Sequence, residues 1–277
     1  MLIKQREKVG EFRERMVGVS ACGKDGERNG YRPGMTQGFD LVASLARGVN
    51  GRSGAWNFIQ DFAARWVRGL EDGDGWAEAD LRAAEQRLGV QLPTALREAY
   101  LLFGRRHDLT SNHDVLLDPA ELYVDDAEEA LVFRHENQGA ASWGILLNSL
   151  QDDDPAVFMR LDLADKSAER WKPWLEHLSL CFVEIVLSES VQAQTDEEPC
   201  DFLNPDHHSI ELLEENAVRL PFPAYPAGEE SGSRWFLSQD VLLREDAGVA
   251  ILARGRTTAD LDRVRDLIPG DWLNDYR

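Results

Sequence analysis

The sequence predicts an α+β fold, with N-terminal helices packed on a largely antiparallel β-sheet, and three observations point to it. Apolar residues recur at helical spacing between residues 56 and 103. Short apolar runs of strand length, separated by turn residues, follow between 131 and 160. Helix-like and strand-like runs then alternate to residue 267. Helices first and strands afterwards is the order of an α+β domain, not of a βαβ array.

Trp56, Ile59, Phe62, Ala63, Trp66, Val67 and Leu70 share the spacing of one helix face, with Gly51 and Gly54 before it and Gly73 and Gly75 after it as breaks. A second helix is predicted from Ala77 to Leu88 with Leu81, Ala84 and Leu88 inward; Gly89 stands where a left-handed cap would end it. Pro93 suits the first turn of a third helix, whose face is Leu96, Ala99, Tyr100 and Phe103 and whose end is Gly104. Gly89 and Gly104 are both read as helix ends that only glycine reaches without strain.

Strands are predicted at Leu131–Glu136, Trp143–Leu147 and Ala156–Arg160, joined through Gly139 and through Asp152-Asp153-Asp154-Pro155. Trp174–Val191 returns to helical spacing. Residues 192–232, rich in acids, prolines and glycines, read as an exposed excursion. Strands resume at Arg234–Leu237 and Gly248–Ala253, and a helix at Thr258–Leu267 closes the fold. Tyr100, Trp143 and Phe158 supply large apolar surfaces for one core.

Residues 1–54 are assigned to a flexible basic tail or a wrongly placed start, and 55–277 to a single domain. The first 34 residues hold eight Lys/Arg and five Asp/Glu, a net of +3 against −23 for the rest, and their glycines interrupt any helix. Met35 is an alternative start. No apolar run reaches the ~18 residues of a membrane span, and no apolar stretch follows the charged first residues as in a secretory signal. Cys22, Cys181 and Cys200 are too few and too scattered for a disulfide framework or a zinc site. A reduced, cytoplasmic protein is expected.

Six histidines are the candidate bases or ligands. No HExxH, CxxC, GxSxG or GxxxxGK[ST] string accompanies them. Asp206-His207-His208 reads as a solvated loop and Asp152-Asp153-Asp154 as a turn. His135 and Glu136 alternate across a strand and so do not form one pair. The expectation is a protein without catalytic residues, metal or cofactor.

One segment carries a resemblance. Leu81 to Pro93 ends a helix in Glu85-x-x-Leu88-Gly89-x-x-Leu92-Pro93, and a helix with Tyr100 and a closing Gly104 follows at once. Phe133 to Gly139, Trp143-Gly144-Ile145 and Asp154 to Phe158 continue the pattern downstream. This order resembles the SUKH superfamily, which includes the Smi/Knr-type regulators of fungal cell-wall assembly and many bacterial immunity proteins. The likeness is clear over about residues 56–190. It implies a protein-binding domain, either an immunity protein that neutralises a toxin domain such as a nuclease or deaminase, or an intracellular regulator that binds a host enzyme.

Fifty acidic residues against thirty basic ones leave a net charge of −20. Such a field repels nucleic-acid backbones and attracts a basic protein partner. Glu121, Asp125, Asp126, Glu128, Glu129, Asp152, Asp153 and Asp154 are the candidate contact carboxylates, because they fall on predicted loops and sheet edges. For the regulator, the docking segment would be the excursion 192–232.

Overall fold

In the computed structural model, residues 39–193, 199–227 and 232–275 are described, and from Asp40 onward the chain forms one compact unit. The basic stretch 1–34 and Met35 lie outside the described residues. Ordered structure nevertheless begins inside the segment assigned to a tail. Helix α1 (Leu41–Gly48) is capped by Asp40, whose carboxylate accepts the Ala43 N–H at 3.0 Å. Helices α2 (Arg52–Trp66), α3 (Glu78–Leu88), α4 (Thr94–Phe103) and the short α5 (His107–Thr110) follow. Helix α2 buries Phe58, Phe62 and Trp66, which stack successively on one another.

The α3–α4 corner shows what its motif residues do. Gly89 ends α3 at φ 71°, the left-handed region that glycine enters without a Cβ penalty. Glu85 reaches forward to accept the Leu92 N–H at 3.0 Å and the Arg97 guanidinium at 2.7 Å, so one carboxylate closes the turn and ties the helices together. Tyr100 donates from the core to the Leu117 carbonyl at 2.6 Å. Gly104 departs from expectation, because its φ is −61°, open to any residue. Space is what requires glycine there: an added Cβ would lie 2.7 Å from Tyr100 Cδ1 and 2.8 Å from Trp76 Cδ1.

The first sheet comprises β1 (Val115–Leu116), β2 (Tyr123–Val124), β3 (Ala130–His135), β4 (Ala141–Leu146), β5 (Val157–Leu161) and β6 (Lys172–Leu175). It is antiparallel throughout, in the order β1-β3-β4-β5-β6, with β2 also paired to β3. Helix α6 (Leu178–Val191) comes next, and all fourteen of its residues are buried. Its sequence is mostly apolar, and even its polar residues Glu184, Ser188 and Glu189 are buried, so the helix has to be surrounded. It packs on α2, α4, α5 and β6, and also on two strands of a second sheet.

That second sheet corrects the sequence reading. The stretch 192–232 is not a plain excursion. It contains β7 (Cys200–Leu203), α7 (His207–Asn216) and β8 (Val218–Arg219). With β9 (Ser233–Ser238), β10 (Val241–Asp246) and β11 (Ala250–Gly255) these strands form an antiparallel sheet in the order β7-β11-β10-β9-β8. Helices α7 and α8 (Thr258–Leu267) cover it through a core that includes Leu213, Phe236, Ile251, Leu261 and Trp272. The fold is therefore α+β with two antiparallel sheets sharing one buried helix.

Candidate partner-binding face

A β-bulge decides which side chains of β3 face outward. Register along β3–β4 shifts between Val132 and Arg134, which pair with Gly144 and Trp143. The extra residue, Phe133, breaks the alternation, so Phe133 and Arg134 both turn toward α6 and His135 turns away. Phe133 meets Phe182 at 6.2 Å between ring centroids. Arg134 is fully buried, bonded to Glu184 at 3.1 Å, Glu189 at 2.7 Å and Asp114 at 3.2 Å, and lies 4.7 Å above the Trp143 ring. Burial opposes its charge, but three carboxylates outweigh burial and raise its pKa further. Glu184 also accepts from Ser188 at 2.5 Å, and Ser188 accepts from Arg244 of β10 at 2.8 Å. Buried charge thus joins both sheets through α6.

On the opposite face, His135, Ser142 and Arg160 line up across β3, β4 and β5. His135 sits between two hydroxyls, Ser142 Oγ at 3.0 Å and Tyr123 Oη at 3.3 Å, and burial lowers its pKa, which leaves a neutral imidazole at pH 7.

Asp125 organises the rest of this face, and here the sequence assignment is corrected. It is 2% exposed, so it is not a surface contact. One carboxylate oxygen accepts the N–H groups of Glu129 at 2.7 Å and Ala130 at 3.0 Å. The other accepts from Arg160 at 2.7 Å and from the Trp171 indole at 3.1 Å. Arg160 in turn lies 4.8 Å from the Trp171 ring. Burial pushes the Asp125 pKa up, but these hydrogen bonds and the Arg160 charge prevail and hold it below the usual aspartate range. Trp171 lies close over Gly144, where a Cβ would come within 3.0 Å of the indole and of the Leu131 carbonyl.

The loop that Asp125 anchors presents Asp126, Glu128 and Glu129, all exposed. Glu128 adopts φ 54°, a left-handed conformation uncommon for a residue with a side chain. A depression lies on either side of the Asp125–Arg160–Trp171 knot. One, about 350 Å³, is lined by Asp126, Ser142, Arg160, Asp162, Lys166 and Glu169 among others. The second, about 500 Å³, is lined by half-buried Leu146, Leu147 and Trp171 and by exposed Glu128, Glu129, Asn148 and Arg170.

The remaining candidates lie elsewhere. Glu121 is exposed and accepts the Asp118 N–H at 3.2 Å within a turn. Asp152 and Asp153 are exposed, but Asp153 is tied to the start of α4 through Thr94 Oγ1 at 2.5 Å and the Ala95 N–H at 2.8 Å. Asp154 accepts the Ser179 N–H at 2.7 Å and hydroxyl at 2.6 Å, which fixes the first turn of α6. Of the eight carboxylates, the structure brings Asp126, Glu128 and Glu129 together as an open edge. Trp171, Leu146 and Leu147 were missed; the only sequence signal was an isolated tryptophan between Arg170 and Lys172.

Two other clusters concern metal binding. His113, Asp114 and Glu136 bring ligand-type atoms within 4.8 Å of one another. The Asp114 carboxylate already accepts from Arg134 and from the Asn137 N–H, and Glu136 accepts the Gln138 and Ala140 N–H groups at 2.9 Å. The Arg134 guanidinium thus already offsets the Asp114 charge. His207 and His208 open α7 behind its cap Asp206 and lie beside Glu211, at 3.3 and 3.5 Å. They are helix residues, not the loop expected.

Among the described residues, no helix is long and apolar enough to cross a membrane. Comparison with protein-family models, curated proteins and solved structures returned no match.

Proposed function

We propose that the chain is a non-enzymatic protein-binding domain of the immunity type, which neutralises a basic toxin domain, a nuclease or a deaminase, inside the cell. The observation that carries this reading is the exposed edge of Asp126, Glu128 and Glu129, of which Glu128 and Glu129 line one depression with a fixed tryptophan. Three carboxylates on one short loop, on a chain of net charge −20, favour cationic partners and repel phosphate backbones. A nuclease groove is basic because it must hold phosphates, and an acidic loop can occupy it. The SUKH resemblance of residues 81–104 supports the same class of function. Of the regulator's candidate docking segment 192–232, Cys200–Leu203 and Val218–Arg219 are strands of the second sheet and His207–Asn216 is a helix over it, which makes it less suited to a free docking arm.

The test is capture from the native host with the tagged chain, comparing wild type with Asp126→Asn/Glu128→Gln/Glu129→Gln and washing at rising salt. A basic toxin domain that wild type retains, salt releases and the variant loses is the expected result. A neutral host enzyme held equally by both proteins at high salt would favour the regulator.

A further inference from the structure

The depression beneath Glu128 and Glu129 combines three properties that no other described part of this face offers together. Its floor is apolar, made by Leu146, Leu147 and Trp171. Its rim carries two exposed carboxylates. Its tryptophan is fixed by two contacts, the indole hydrogen bond to Asp125 and the guanidinium of Arg160 against the ring. Rigid aromatic side chains bordered by polar groups are where binding energy concentrates at protein interfaces. We propose that this depression is the subsite for one arginine side chain of a basic partner segment. The methylene stem lies on the two leucines and the indole, and the guanidinium lies against Glu128 and Glu129.

The chemistry selects this occupant. A carboxylate or phosphate would meet the two glutamates, and a second copy of the chain would bring a further −20. A purely apolar side chain would leave both carboxylates without a partner. Lysine would satisfy the charge, but its ammonium is a strongly hydrated point charge, whereas the planar guanidinium pairs with carboxylates through a fork and stacks on indole. The molecule already assembles that trio one layer deeper, with Asp125, Arg160 and Trp171. Arg170 also lines the depression, with one guanidinium nitrogen held on the Ser167 carbonyl at 2.7 Å. Its charge opposes an incoming cation and sets a limit on affinity.

This inference rests on the acidic-edge reading above, and its test separates the two. The full chain is labelled at its indole nitrogens and titrated at low salt with acetyl-Lys-Arg-Lys-amide and, separately, with acetylated trilysine amide. The Trp171 resonance is assigned by its loss in Trp171→Phe. The expected result is a saturable shift of the Trp171 indole, with the arginine peptide binding about fivefold or more tightly than trilysine. Glu128→Gln/Glu129→Gln should weaken it about tenfold. Arg170→Gln should tighten it more than Lys172→Gln, which removes the same charge from an exposed residue outside the lining. Unchanged resonances of the other tryptophans confirm that the variants fold. Saturable binding without movement of Trp171, or equal affinity for both peptides, overturns the arginine subsite while leaving the acidic edge standing. Binding of neither peptide overturns both.

Discussion

Asp125 shows how one side chain can support a face without belonging to its surface. It binds its own turn, a strand residue and a tryptophan at once, and its pKa is held below the ordinary aspartate value. A depressed folded-state pKa contributes stability that is complete above the unfolded value, about 3.9, and disappears as the pH falls through the folded one. The urea stability of wild type should therefore exceed that of Asp125→Asn by a constant amount near neutral pH, with the gap closing below about pH 4. A gap that persists unchanged into acid would contradict this role. Gly144→Ala should cost about 1–3 kcal/mol, because the new Cβ presses on both the Leu131 carbonyl and Trp171. Chemical denaturation measures that loss. The acid run 125–129 was legible in the sequence as a charged loop, but the division of labour within it was not. Asp125 turns inward because of Arg160 and Trp171, 35 and 46 residues away, and no local pattern reports such partners.

At the scale of elements, local signals carried the helices and remote contacts decided the rest. The Gly89 cap and the helical face of Leu96, Ala99, Tyr100 and Phe103 correspond to real ends and a real buried stripe. Strand β10 escaped notice because Val241-Leu242-Leu243 runs straight into Arg244-Glu245-Asp246, which reads as a polar turn. In the fold Glu245 is buried and paired with Arg234 at 2.7 Å. The bulge in β3 was equally hidden, and with it the inward turn of Arg134. Removing that guanidinium should be severe. Arg134→Met would leave Asp114, Glu184 and Glu189 buried without their common cation, at a cost of about 3–5 kcal/mol. That is a large part of the ~5–15 kcal/mol typical of a domain. Denaturant unfolding of the variant provides the check, and a loss below about 1 kcal/mol would mean that the network is not holding α6 in place.

At the scale of the whole molecule, acidity far exceeds what solubility requires. A net charge of −20 compares with a magnitude of ~2–8 that suffices for a small domain. On the function proposed above, this charge acts through one edge, where Asp126, Glu128 and Glu129 stand exposed. The most direct measurement is the affinity of the captured partner for wild type and for Asp126→Asn/Glu128→Gln/Glu129→Gln, taken from about 0.05 to about 0.3 M salt. Wild-type affinity should fall steeply over that range, and the triple variant should start at least about tenfold weaker with a shallower slope. Equal affinity for the two proteins, unchanged by salt, would contradict it.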